Sequence, residues 1–149
     1  MNRLRTTLRH GLCAAALLAA TGFALAAPDI DAPQAAAAVS AGKVTLIDIR
    51  TPAEWKETGV ARGARRVNML HPQGAKGFTD QLLSEVNGDR NAPIALICRT
   101  GNRTSQVQRY LQSVGFTQVY NISEGMAGSP AGPGWIKRGL PVEPCTAQC

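Results

Sequence analysis

The chain has 149 residues, 44% of them hydrophobic, and a formal net charge of +6. That length fits one domain, and that apolar share is enough for a packed core. Arg3, Arg5 and Arg9 stand at the extreme N-terminus with no acid nearby, and without them the excess is +3, too small for a nucleic-acid binder but suited to a small anionic substrate.

Residues 1–26 read as an export signal rather than as part of the fold. Residues 1–10 are basic, residues 12–25 are mostly Ala and Leu, and Ala24-Leu25-Ala26 has the small-x-small pattern of a cleavage site. Cleavage is expected after Ala26. The apolar stretch is short for a membrane span, and no charged stop follows it. Cys13 stands at the start of that stretch, where a lipid-attachment cysteine does not belong. No later segment is long and apolar enough to span a bilayer, so the mature chain is expected to be periplasmic or secreted and free of the membrane. Cys98, Cys145 and Cys149 remain in it. In an oxidising compartment an odd count implies one pair and one free thiol. Cys145 and Cys149 are the natural pair by proximity, which leaves Cys98 free.

The elements follow in chain order. Asp31-Ala32-Pro33 and the Ala run to Val39 predict a short capped helix, closed by Ser40-Ala41-Gly42. Val44-Thr45-Leu46-Ile47-Asp48-Ile49 has the character of a buried parallel strand. Thr51-Pro52 then starts a helix, with Thr51 as N-cap and Glu54 three residues on, and Gly59 stops it. Val67-Asn68-Met69 is a strand candidate. Phe78, Leu82, Leu83 and Val86 have helical spacing. Pro93-Ile94-Ala95-Leu96-Ile97 is a second buried strand that ends at Cys98. A helix is expected over residues 103–114, with Val107, Tyr110, Leu111 and Val114 on one face. Gln118-Val119-Tyr120-Asn121 is a strand, residues 125–134 a Gly/Pro-rich loop, residues 135–140 a short last element, and Pro141 onward a tail. Alternating strands and helices imply an α/β domain with a mainly parallel sheet flanked by helices on both faces.

Ligand sites in such sheets lie beyond the C-terminal strand ends. Asp48-Ile49-Arg50 and Cys98 both fall there. The run Cys98-Arg99-Thr100-Gly101-Asn102-Arg103 leads from strand to helix, so free backbone N–H groups and the positive end of the helix dipole face Cys98. Gly101 permits a tight turn, Arg99 and Arg103 add full charges, and Thr104 and Ser105 offer hydroxyls. Such surroundings favour a thiolate sulfur and hold an anion against it. A lone cysteine after a buried strand is more often a core residue; the Gly and the two Arg residues weigh for a nucleophile.

Four motifs in order give a family resemblance over roughly residues 32–142. Leu46-Ile47-Asp48-Ile49-Arg50-Thr51-Pro52-Ala53-Glu54-Trp55 is similar to a D-V-R-x-x-x-E-[FYW] box. Gly59-Val60-Ala61-Arg62-Gly63-Ala64 is similar to G-H-I-x-G-A, with Val60-Ala61 in place of His-Ile. Cys98 to Arg103 is similar to C-x-x-G-x-R. Gly115-Phe116 through Val119, Glu124-Gly125, Trp135 and Gly139-Leu140-Pro141-Val142 complete the set, with Met126 replacing the second Gly of a G-G pair. The chain resembles a rhodanese, or sulfurtransferase, domain, and with its export signal it is most similar to the small periplasmic rhodaneses of the phage-shock type. The expected organisation is a signal peptide over residues 1–26, a rhodanese domain over residues 27–142 and a tail over residues 143–149 carrying Cys145 and Cys149.

The resemblance implies sulfur transfer through a Cys98 persulfide. The donor is thiosulfate or a similar anion, and the acceptor is a thiol or cyanide. No cofactor is implied. Arg99 and Arg103, with Thr100, Gly101 and Asn102 of the loop, would hold the donor; Asp48 and Arg50 would brace the loop. Glu54 has two readings of equal standing, a capping residue and a supporting one. Trp135 reads as core or pocket wall. The tail pair reads as a local disulfide, or as a redox pair that accepts sulfur from the Cys98 persulfide or reduces it. His10 and His71 stand alone, with no metal-site spacing. Two rival functions remain. A phosphatase or arsenate reductase would place one more residue between Cys and Arg, because a phosphoryl group needs a wider cradle. A non-catalytic sulfur sensor or binding module would use the fold alone, against which stand Cys98, Gly101 and Arg103.

Overall fold

The computed structural model describes residues 28–146 and residue 149; the expected signal segment lies outside the described residues. The elements run α1 (Ala32–Ser40), β1 (Thr45–Asp48), α2 (Pro52–Thr58), β2 (Val60–Ala61), β3 (Arg65–Arg66), α3 (Gly74–Glu85), β4 (Ile94–Ile97), α4 (Asn102–Ser113), β5 (Val119–Asn121), α5 (Gly134–Lys137) and β6 (Val142–Glu143). Strands β3, β1, β4 and β5 form one sheet in that order, every pair parallel. Its central strands are covered on both faces, which is why β1 and β4 read as nearly continuous apolar runs.

Alternate residues divide the core into two layers. Ile47, Ile49, Leu96 and Cys98 face α3 and α4, where they meet Phe78, Leu82, Val107 and Leu111. Leu46, Ala95 and Ile97 face α1 and α5, where they meet Ala32, Ala35 and Trp135. The small Ala side chains of α1 let that helix lie close to the sheet. Two capping boxes set helix starts. Asp31 accepts from Gln34 N while the Gln34 side chain accepts from Asp31 N. Thr51 and Glu54 do the same for α2, with Pro52 at its first position.

The structure moves several expected boundaries. The strand expected at residues 67–69 lies at Arg65–Arg66, because those residues hold the register with Ile47 and Asp48. Val67 and Met69 continue bonding to Asp48 and Ile49 carbonyls outside the strand proper. Helix α3 begins a turn before Phe78, and α5 spans Gly134–Lys137 rather than residues 135–140. The tail does not begin at Pro141: β6 pairs antiparallel with β2, Val60 opposite Glu143 and Ala61 opposite Val142. Among the described residues no helix is long and apolar enough to cross a membrane.

Candidate active site

Cys98 follows directly on β4, is fully buried, and is a free thiol. Its Sγ accepts the N–H of Gly101 at 3.2 Å and lies 3.4 Å from Thr104 Oγ1. Thr104 donates its single hydroxyl proton to the Gly101 carbonyl at 2.9 Å. Rotation of that hydroxyl would turn the same proton onto the sulfur, so Thr104 can meet either a thiol or a charged sulfur. Ser105, the other hydroxyl of the segment, accepts instead from Arg109 at 2.9 Å.

Gly101 makes this geometry. It caps α4 in the left-handed region at φ 83°, and a Cβ there would collide with the Ser123 carbonyl. Only glycine adopts that turn without strain so close to a neighbouring backbone. The turn aims the Gly101 N–H at the sulfur and starts α4 at once. The first-turn amides of α4 have no intrahelical acceptor, and the positive end of its dipole lies beside Cys98.

Arg103 is committed to Glu54. Its Nη1 donates to Glu54 Oε2 at 2.8 Å and its Nη2 donates to Oε1, a two-pronged pair. Arg103 holds the Glu54 carboxyl down at about 2, against the opposing effect of burial and with help from Thr51. Glu54 in turn raises Arg103 above its ordinary value, with a smaller contribution from the Cys98 sulfur. Glu54 is therefore both a capping residue of α2 and the tether of the first turn of α4. Arg50 and Asp48 form a buried ion pair at 2.7 Å. Arg50 also donates to Thr58 Oγ1 and to the Gly59 carbonyl, both at 2.7 Å. The contacts run from β1 through Arg50 to α2, and from α2 through Glu54 to Arg103, so Asp48 and Arg50 are linked to the Cys98 loop at one remove.

Arg99 is exposed, and neither it nor Thr100 nor Asn102 makes a side-chain hydrogen bond among the described residues. With Arg50 and Arg103 paired to carboxylates, Arg99 is the loop cation without a carboxylate partner among the described residues. It lines a hollow of about 60 Å³ with Arg50, Glu54, Glu57, Thr58, Met126, Ala127 and Ile136.

A second brace escaped the residue-by-residue reading. Met126 N donates to the Cys98 carbonyl and Ala127 N to the Arg99 carbonyl, each at 2.9 Å. Gly125, at φ 62°, packs so closely that a Cβ would stand 2.6 Å from the Arg99 carbonyl oxygen. Glu124 holds this segment in place. It is 1% exposed and accepts from Ala32 N, Gly134 N and Arg138 Nε. Burial alone would raise its carboxyl, but those bonds outweigh it and hold the group below its ordinary value. The signal for this brace was the Glu124-Gly125 dipeptide.

Cys145 and Cys149 lie with Cα atoms 5.8 Å apart, joined as a disulfide. Both sulfurs contact Arg66 Nη1.

The Gly101 N–H and the Thr104 hydroxyl are both placed to hydrogen-bond a sulfur at Cys98. Among the described residues, Sγ is met by the Gly101 N–H and the Thr104 hydroxyl and also interacts with the Arg103 guanidinium, and none of these is a general acid or base at neutral pH. The arrangement fits transfer of a group that needs no proton.

Comparisons with known proteins agree with this geometry. The family model for the Rhodanese-like domain matches residues 31–129. The uncharacterized protein RP600 of Rickettsia prowazekii is 34% identical over 98 residues, covering 64% of this chain and 80% of that protein. The thiosulfate sulfurtransferase GlpE of Tolumonas auensis is 33% identical over 99 residues, covering 66% of this chain and 84% of that protein. Among solved structures, Rv0390 from M. tuberculosis superposes with a TM-score of 0.59 at 28% identity, over 78% of this chain and 97% of that one. With its parallel sheet, its Cys98 loop and these matches, the chain belongs to the rhodanese-like domain family.

Proposed function

We propose that the protein is a sulfurtransferase that carries sulfane sulfur from thiosulfate, or a similar small anion, to a thiol or cyanide through a Cys98 persulfide. The observation that carries this reading is the Gly101 N–H aimed at Cys98 Sγ from the start of α4, in a loop with four residues between Cys98 and Arg103.

The thiolate of Cys98 attacks the outer sulfur of thiosulfate. A new S–S bond forms, the bond to the sulfonate sulfur breaks, and sulfite leaves with the electron pair. The persulfide is then attacked at its terminal sulfur by the acceptor, and Cys98 departs as thiolate. Neither step needs a proton at the reacting sulfur, in keeping with its surroundings. Splitting the transfer in two is covalent catalysis. The Gly101 amide, the Thr104 hydroxyl and the first turn of α4 stabilise the charge that moves between the sulfurs. Arg99 receives the anionic donor at the hollow, while Arg103 and Glu54 keep the loop in register. The mild positive balance of the mature sequence favours an anionic donor. The N-terminal signal pattern supports a periplasmic or secreted setting for this chemistry.

Intact mass measured after thiosulfate treatment of the desalted protein, with the Cys145–Cys149 disulfide intact and Cys98 free, tests the reading. The expected result is a gain of one sulfur atom, lost on cyanide addition and absent in Cys98→Ser. No gain in the wild-type protein would leave a non-catalytic binding module as the function.

A further inference from the structure

Arg66 sets a cation against both tail sulfurs. Its Nη1 stands 2.9 Å from Cys145 Sγ and 3.1 Å from Cys149 Sγ. Its guanidinium also lies over the ring of Trp55 in α2, 6.0 Å from the centroid. A positive charge so placed favours the thiolate form of each cysteine once the pair is reduced. The position in the fold matters as much. Arg66 ends β3, opposite Asp48 of β1, and Asp48 is opposite Ile97 of β4. With adjacent strands about 4.8 Å apart, the Arg66 backbone lies about 10 Å from that of Ile97, the residue before Cys98. Arg66 and Cys98 thus share one end of the sheet, with Arg66 on the face of Ile97 and Cys98 on the face covered by α3 and α4. The chain end is pinned at Glu143 by its pairing with Val60. Cys145 follows two residues later, within about 7 Å of chain, and Cys149 six residues later, within about 20 Å. Cys149 has the longer reach.

We propose that the reduced Cys145/Cys149 pair is a built-in acceptor for the sulfur carried by Cys98, with Cys149 as the receiving thiol and Cys145 as the resolving one. This inference rests on the reading of Cys98 as a persulfide carrier. The Cys149 thiolate attacks the outer sulfur of the Cys98 persulfide. A bond forms between Cys149 and that sulfur, the Cys98 persulfide bond breaks, and Cys98 leaves as thiolate. The Cys145 thiolate then attacks Cys149 Sγ. The Cys145–Cys149 disulfide forms, the persulfide bond on Cys149 breaks, and hydrosulfide leaves with the electron pair. Sulfane sulfur is reduced to sulfide and the dithiol is oxidised to the disulfide. That disulfide is the spent form of the pair. An external dithiol protein resets it by thiol–disulfide exchange, supplying two electrons.

The test is a single turnover without added acceptor. The mature protein is reduced with an immobilised phosphine, separated from it under anaerobic conditions, given thiosulfate, and followed for sulfide release and intact mass. Wild-type protein is expected to release one equivalent of sulfide and form one disulfide, at a rate independent of protein concentration. Cys145→Ser should stop with the extra sulfur on the C-terminal peptide at Cys149. Cys149→Ser should keep it on Cys98. Arg66→Gln should load normally and release sulfide about tenfold more slowly. Loading is read independently in the Cys145→Ser/Cys149→Ser double variant. If that variant gains no sulfur, the persulfide reading fails and this inference fails with it. If it gains sulfur while reduced wild-type protein releases no sulfide, or releases it no faster than the double variant, the tail is not an acceptor. A rate that rises with protein concentration overturns the intramolecular route.

Discussion

Replacing Glu54 by Gln removes a charge and keeps the shape, which isolates the Arg103 pair from the helix cap. Gln at the third helical position still closes a capping box with Thr51. The Glu54 carboxyl is lowered from 4.5 to about 2, with Arg103 as the largest cause. A shift of that size corresponds to about 3 kcal/mol if taken unscreened. The pair is partly wet, with 29% of the Arg103 side chain and 18% of the Glu54 side chain exposed. Screening brings the expected loss in Glu54→Gln to about 1–2 kcal/mol at neutral pH. Glu54→Ala should cost about 1 kcal/mol more, because the cap goes as well. The folded carboxyl titrates below the unfolded one. Its stabilisation is therefore fully present above about pH 4.5 and is lost as pH falls towards about 2. Urea unfolding of the three proteins from pH 7 down to pH 2, without reductant, measures this directly. The gap between wild type and Glu54→Gln should close as the pH falls. Loading of Cys98 should slow in Glu54→Gln at pH 7, since Arg103 no longer fixes the first turn of α4. Equal stability at pH 7, or a gap that does not shrink in acid, would refute the argument.

Gly101→Ala forces a side chain into the left-handed region and against the Ser123 carbonyl. It should cost about 1–3 kcal/mol in thermal unfolding. By swinging the amide off the sulfur it should also slow persulfide formation about a hundredfold. Arg50→Met leaves the fully buried Asp48 without its partner and should cost about 3–5 kcal/mol in urea unfolding, with most of the loss recovered in Arg50→Met/Asp48→Asn. Arg99→Ala removes no side-chain hydrogen bond among the described residues; steady-state assays should show KM for thiosulfate rising roughly tenfold with kcat nearly unchanged, and unfolding should shift by less than about 0.5 kcal/mol.

What the sequence disclosed and what it hid follow from the range of the interactions. Thr51 and Glu54 lie three residues apart, so their capping box was legible, as was the buried character of Leu46-Ile47 and Ile94-Ala95-Leu96-Ile97. The Cys98–Arg103 run is also local, and its strand-to-helix setting could be read directly. The Glu54–Arg103 pair spans 49 residues, and nothing in either neighbourhood says that Arg103 turns to α2 rather than to a substrate. Separation in the chain also hid the Met126–Cys98 backbone bond, since a backbone donor leaves no mark on residue type. β3 was misplaced because its paired residues, Arg65 and Arg66, are exposed cations at a sheet edge. β2 and β6 were missed because two-residue strands carry no periodicity. The tail pair was visible as a spacing, but its cation, Arg66, came only with the fold.

The two half-reactions, separated in time, test the central claim most directly. Reduced Cys145→Ser/Cys149→Ser protein is mixed with thiosulfate, freed of small molecules, and then given cyanide. One sulfite per chain in the first step and one thiocyanate per chain in the second are expected, both absent when Cys98→Ser is added. Thiocyanate formed only when thiosulfate and cyanide are present together would contradict the account, because no sulfur would then rest on Cys98.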